Sequence, residues 1–190
     1  MFFAKLPQYL SACLLIFLFS GCVNLQTSAD FDRDEALIAR ASLALAYLEQ
    51  QDFSKAKENI EKALSHNSQH YLAHLVAAYY YQQISDVQHA EQSYQAAIRL
   101  SHQIKQNSPL PEVLNNYGTF LCQQGKFVQA YTQFEQALTG EKAYLRQGDT
   151  LENMVLCAKQ ANQLEKMAQA LARLALLDAE RATKLAKIVK

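Results

Sequence analysis

The chain has 190 residues, half of them apolar and 19% charged, with 18 cationic and 18 anionic side chains. Disorder requires lower hydrophobicity, and a nucleic-acid binder requires surplus positive charge, so both classes are excluded. Five glycines, three prolines and no tryptophan, among many Ala, Leu, Gln, Glu and Lys, favour an all-helical domain over a sandwich or barrel, and no glycine-rich phosphate loop is present.

Residues 1–21 read as a signal peptide: Lys5 supplies the positive end, and the apolar run Leu10 to Phe19 stops at Ser20-Gly21-Cys22. The run is too short to span a bilayer. Small residues directly before Cys22 resemble the lipobox of bacterial lipoproteins, in which the Cys becomes the lipid-modified first residue, although Phe19 departs from the usual Leu. The competing match Leu10-Ser11-Ala12-Cys13 has no apolar core before it. Removal of residues 1–21 takes away one cation, Lys5, and leaves a formal charge of −1, so strong adhesion to acidic lipid or nucleic acid is not expected. By the same resemblance, Val23 in place of the Asp common in inner-membrane lipoproteins points to the outer membrane, with the domain facing the periplasm of a Gram-negative cell. Residues 22–33 are polar and lack helical periodicity, as a tether does.

From Asp34 onward the chain repeats itself. Leu43-Ala44, Tyr47, Ala56, Ile60 and Ala63 recur 34 residues later as Ala77-Ala78, Tyr81, Ala90, Tyr94 and Ala97. A third copy, offset by a further 40, holds Tyr117-Gly118, Leu121, Gly125, Ala130, Phe134 and Ala137; a weaker fourth, offset by 37, holds Met154-Val155, Ala158, Met167, Leu171 and Leu174. The six extra residues before the third copy fall near Pro109 and Pro111. The pattern resembles the tetratricopeptide repeat, which implies a right-handed superhelix of about four helical hairpins (residues 37–68, 71–102, 111–144 and 148–178) closed by a capping helix over 179–190. Ala44, Ala78 and Gly118 on first helices, and Ala56, Ala90 and Ala130 on second helices, would let each pair approach closely. Asp52 and Asp86 stand where second helices need caps, Gly125 where a first helix ends, and Asp149 with Glu152 in capping-box spacing.

No nucleophile, base and acid triad is evident, and five dispersed histidines do not make an acid–base site. His70 and His74 have the spacing to share a metal, yet no nearby Cys or Glu completes the set and His66 lies across a turn, so they read as solvated or packing residues; no cofactor, metal or small-molecule substrate is expected. Cys122 and Cys157 occupy near-matching places on adjacent first helices of an exported chain. A disulfide and two buried thiols both remain open. In a stacked array of helix pairs the first helices line the inner side. Helical spacing puts Leu45, Leu48, Leu72, Leu75 and Tyr79 there in the first two repeats, then Asn115, Thr119, Gln123, Glu152 and Lys159. These make a peptide groove, or else the leucines merely pack against neighbouring helices.

The run Val113-Leu114-Asn115-Asn116-Tyr117-Gly118-Thr119-Phe120-Leu121-Cys122-Gln123-Gln124-Gly125-Lys126-Phe127, together with Leu151-Glu152-Asn153-Met154-Val155-Leu156-Cys157-Ala158, resembles the type IV pilus biogenesis and stability lipoproteins PilW and PilF. The resemblance covers most of residues 35–177. It implies a non-catalytic, pilotin-like adaptor, lipidated at Cys22, whose partner is the outer-membrane secretin. A general periplasmic scaffold for cell-wall or outer-membrane assembly proteins is the alternative, and an enzyme or enzyme regulator is a third class.

Overall fold

The computed structural model describes residues 32–104, 110–139 and 144–189. Residues 1–31, with the signal peptide, Cys22 and most of the tether, lie outside them. Among the described residues there are nine helices and no strand: α1 Arg33–Glu49, α2 Phe53–His66, α3 Tyr71–Gln83, α4 Val87–Ile104, α5 Pro111–Gln123, α6 Phe127–Leu138, α7 Gln147–Gln160, α8 Leu164–Leu177 and α9 Ala179–Val189. None of them is long and apolar enough to cross a membrane.

The small residues dictate how the helices pair. Ala44, Ala56, Ala78, Ala90 and Ala130 are all fully buried, and consecutive helices pack as antiparallel pairs, α1 on α2 through α7 on α8. Gly118 shows how close the approach is: a Cβ there would lie 2.6 Å from Cε1 of Phe134 and 3.2 Å from the Ala130 carbonyl. The fourth pair has Val155 and Met167 at the equivalent positions. It uses Ala158 and Ala170 instead, both buried and displaced by about one turn.

Each hairpin turns in the same way. Gln51, Ser85, Gly125 and Asn162 occupy one position of the repeat, and all four have positive φ, between 53° and 72°. The next amide then reaches back five residues: Asp52 N to Tyr47 O at 2.9 Å, Asp86 N to Tyr81 O at 2.8 Å, Lys126 N to Leu121 O at 2.9 Å and Gln163 N to Ala158 O at 2.8 Å. Asp52 and Asp86 cap α2 and α4 as expected, accepting from the amides of Lys55 (3.1 Å) and His89 (3.2 Å). Those backbone hydrogen bonds hold both carboxyls below their ordinary pKa. The capping-box reading of Asp149 and Glu152 is not what forms. The residue before α7 is Arg146, and both carboxylates are bound by Arg181.

First helices touch first helices, α1 on α3 and α5 on α7, while each second helix packs on the first helix that follows it, α2 on α3, α4 on α5 and α6 on α7. The layer of first helices is the tighter one and forms the inner side. At the junction of the second and third pairs the core is aromatic: Tyr94 meets Phe120 at 5.2 Å and Tyr117 at 5.5 Å between ring centres. Tyr117 also donates to Glu91, which pairs with Lys126 at 2.8 Å. Ala182, Leu185 and Val189 of α9 are buried in the same core, so the last helix covers the face that the fourth pair would otherwise expose.

Gly118→Ala is expected to destabilise by about 1–3 kcal/mol, because the added carbon overpacks against Phe134. Gly125→Ala meets no neighbour and should cost only about 1 kcal/mol for the left-handed backbone. Urea unfolding followed by far-ultraviolet circular dichroism measures both; a Gly118→Ala variant as stable as wild type would contradict the close approach of α5 and α6.

Candidate functional site: the inner surface

The inner face is built from one side of α1, α3, α5 and α7. Between α1 and α3 lies a small open hollow lined by Leu45, Leu48, Glu49, Tyr79, Gln82 and Gln83. The apolar residues expected there divide into wall and core. Leu45 and Tyr79 are partly buried and offer surface. Leu48 is 3% exposed, with its bulk packed among Ala44, Ala56 and Ile60, so only an edge reaches the hollow. Leu75, at 6%, belongs to the larger core, and Leu72 is wedged between two clusters. An inner helix face is shared between solvent and the neighbouring first helix, which takes the larger side chains.

Beyond the hollow the surface is a row of amides. Gln82 Oε1 accepts from the Tyr94 hydroxyl at 2.8 Å, and its Nε2 donates to Gln123 Oε1 at 2.7 Å, joining α3 to α5. Asn153 donates to Asn115 Oδ1 at 3.0 Å, and Gln160 to the Cys122 carbonyl at 3.3 Å, joining α5 to α7. Asn115 is thus 6% exposed and committed to its neighbour, whereas half-buried Thr119 donates to the Asn115 carbonyl of its own helix. Each amide carries more donors and acceptors than these bonds use, so the row can hydrogen-bond a polypeptide backbone. The bridging roles of Gln82, Asn153 and Gln160 were not foreseen; the signal available was the recurrence of amides at these inner positions.

Cys122 and Cys157 are bonded as a disulfide, with Cα atoms 5.8 Å apart, and both are buried. It staples α5 to α7 beside the amide bridges. Glu152 and Lys159, read as open inner positions, are engaged with the last helix. Arg181 binds Glu152 at 2.5 and 2.6 Å and Asp149 at 2.7 Å, and Lys159 donates to the Ile188 carbonyl at 3.0 Å. Burial works to raise the Asp149 carboxyl, but hydrogen bonds from Arg181 and Arg146 outweigh it and leave its pKa lowered; the Arg181 guanidinium is raised, chiefly by Glu152. His70 Nδ1 caps α3 by accepting from the Leu72 amide, and His74 Nε2 contacts the Ser68 carbonyl. No group of three or more metal-ligating side chains converges among the described residues.

Paired antiparallel helices, stacked so that one layer faces inward with an apolar hollow and an amide row, define a helical-repeat scaffold of the kind that holds other proteins. The chain belongs to the tetratricopeptide repeat-like domain family, whose model matches residues 26–152. It is 42% identical over 179 residues to a Haemophilus influenzae protein described as uncharacterized, covering 94% of this chain and 96% of that one. It is 30% identical over 166 residues to the type IV pilus assembly protein PilF of Pseudomonas aeruginosa, covering 84% of this chain and 62% of that protein, so it spans less than two thirds of PilF. Among solved structures, Pseudomonas aeruginosa PilF superposes with a TM-score of 0.69 at 25% identity, covering 80% of this chain and 68% of the other. PilW, described as a widely conserved type IV pilus biogenesis factor, gives 0.63 at 28%, covering 74% and 61%.

The double variant Cys122→Ser, Cys157→Ser is expected to lose about 3–4 kcal/mol of stability in the chain-entropy model, since the bond closes a sequence separation of 35 residues. Urea unfolding with and without reductant tests this: wild type under reductant should match the variant. Asp149, with its folded pKa below 3.8, contributes stability that is present above that value and lost as the pH falls through the folded pKa. Acid unfolding of Arg181→Gln should therefore be less steep below about pH 4 than that of wild type; identical acid limbs would show that Arg181 does not anchor α9.

Proposed function

We propose that the chain is a lipid-anchored adaptor of the outer membrane that binds the type IV pilus secretin and promotes its assembly or stability, without catalysis. The observation that carries the reading is the likeness, in sequence and in helical-repeat architecture, to the pilus factors PilF and PilW. The lipobox-like Ser20-Gly21-Cys22 supports the anchor. A lipid at Cys22 holds the domain at the inner leaflet, and the hollow around Leu45 and Tyr79, extended by the amide row, receives a secretin segment. Tethering binding sites to one surface raises the effective concentration of secretin subunits for ring closure without any new contact between them.

A deletion strain should lose secretin multimers and surface pili, and Cys22→Ser should place the protein away from the outer membrane; unchanged multimers with intact pili would overturn the reading in favour of a scaffold with another client. Leu45→Glu should lower multimer abundance at unchanged helix content, whereas Leu48→Glu and Leu75→Glu bury a charge and are expected to unfold the chain. Normal multimers in a stable Leu45→Glu strain would remove the hollow from the binding surface.

A further inference from the structure

The hollow on the inner surface is a product of the repeat. Its six lining residues are three equivalent pairs, each 34 residues apart: Leu45 with Tyr79, Leu48 with Gln82, and Glu49 with Gln83. α1 and α3 are first helices of successive hairpins and run the same way, so both end here, α1 at Glu49 and α3 at Gln83. The third and fourth repeats carry Gln123 and Gln160 at the same place. Gln123 accepts from Gln82, and Gln160 donates to the Cys122 carbonyl, so amides at this position bridge first helices. Glu49 alone of the four bears a charge.

Helix stability does not call for that charge. A carboxylate in the last turn opposes the helix dipole, and the last turn of α1 has no basic residue to offset it. The cations of the surrounding elements are engaged elsewhere. Lys55 pairs with Asp52, Lys57 with Glu61 and Lys62 with Glu58, while Arg40 donates to Asn59. Arg33 stands at the opposite end of α1, and α3 has neither lysine nor arginine. Among the described residues Glu49 is therefore left without a cationic partner, exposed, on the rim of a hollow walled by the partly buried Leu45 and Tyr79. A carboxylate at two adjacent negative helix ends, next to an apolar wall, complements a long side chain with an aliphatic stem and a cationic head.

We propose that Glu49 is the acceptor for a lysine or arginine side chain of the polypeptide held on the inner surface, with the stem of that side chain against Leu45 and Tyr79. This rests on the adaptor reading only for the identity of that polypeptide. The test uses the full chain in detergent with ¹³C-labelled leucine methyls and tyrosine rings, titrated with the peptide acetyl-Ala-Xaa-Ala-amide, in which Xaa is Arg, Lys, citrulline or Glu. The Arg and Lys peptides should shift the Leu45 methyl and Tyr79 ring signals with dissociation constants in the millimolar range. Glu49→Gln gives α1 the amide that ends the other first helices, so the fold should persist while binding weakens about tenfold. Glu49→Asp should retain part of the binding, and the citrulline and Glu peptides should leave both signals unmoved. Unshifted signals with both cationic peptides, unaltered binding in Glu49→Gln, or equal binding of citrulline would overturn the site. None of these outcomes touches the secretin reading, which the deletion strain decides, and an intact site in a protein whose deletion spares the secretin would overturn that reading alone.

Discussion

Everything in this molecule depends on how near two helices can come. Ala44 and Ala56, Ala78 and Ala90, and Ala130 opposite Gly118 are fully buried small residues that let the helices of a pair come close, and the Phe134 ring occupies the space a Cβ on Gly118 would need. A pair this tight presents two flat sides, and neither is buried by its own hairpin. Stacking the next pair is the only way to cover them, so the architecture grows as an array and needs a closing element. α9 supplies it through Ala182, Leu185 and Val189, fixed by Arg181.

The same constraint sets the turns. Antiparallel helices at minimal separation leave a short connection, and one left-handed residue at a fixed place reverses the chain in all four pairs. Only the third pair has glycine there. Gln51, Ser85 and Asn162 adopt the conformation at some local cost, which the backward hydrogen bond of the following residue and the packing of each pair offset.

Much of this was legible because it is local or strictly periodic. The small residues, the large ones that fill between them, the caps at Asp52 and Asp86 and the closing Gly125 all follow from the repeat, and a repeat fixes the neighbours of every residue within its own hairpin. What was not legible depends on distant partners. Asp149 and Glu152 have capping-box spacing, yet Arg181, some thirty residues on, binds both. Leu48 and Leu75 lie on the predicted face, but periodicity cannot say how much of that face the adjacent helix covers. The amide bridges require knowing which first helices become neighbours, and at what register.

The two halves of the array differ in how firmly their inner faces are held. From α5 onward, α7 is fixed by the disulfide, by Asn115 with Asn153 and by Gln160, and α9 by the Arg181 ion pairs. Between α1 and α3 the contact is apolar packing around an open hollow, and α3 reaches α5 through the Gln82–Gln123 amide pair. Apolar contacts are non-directional and tolerate small displacements, whereas a disulfide and bidentate ion pairs specify a geometry. A surface that receives a polypeptide needs both properties. If this face receives a polypeptide as proposed, the hollow would adjust to an apolar side chain while the stapled half presents its polar groups at fixed spacing, and the ordering cost of binding would fall on the part of the fold where the contacts yield most easily.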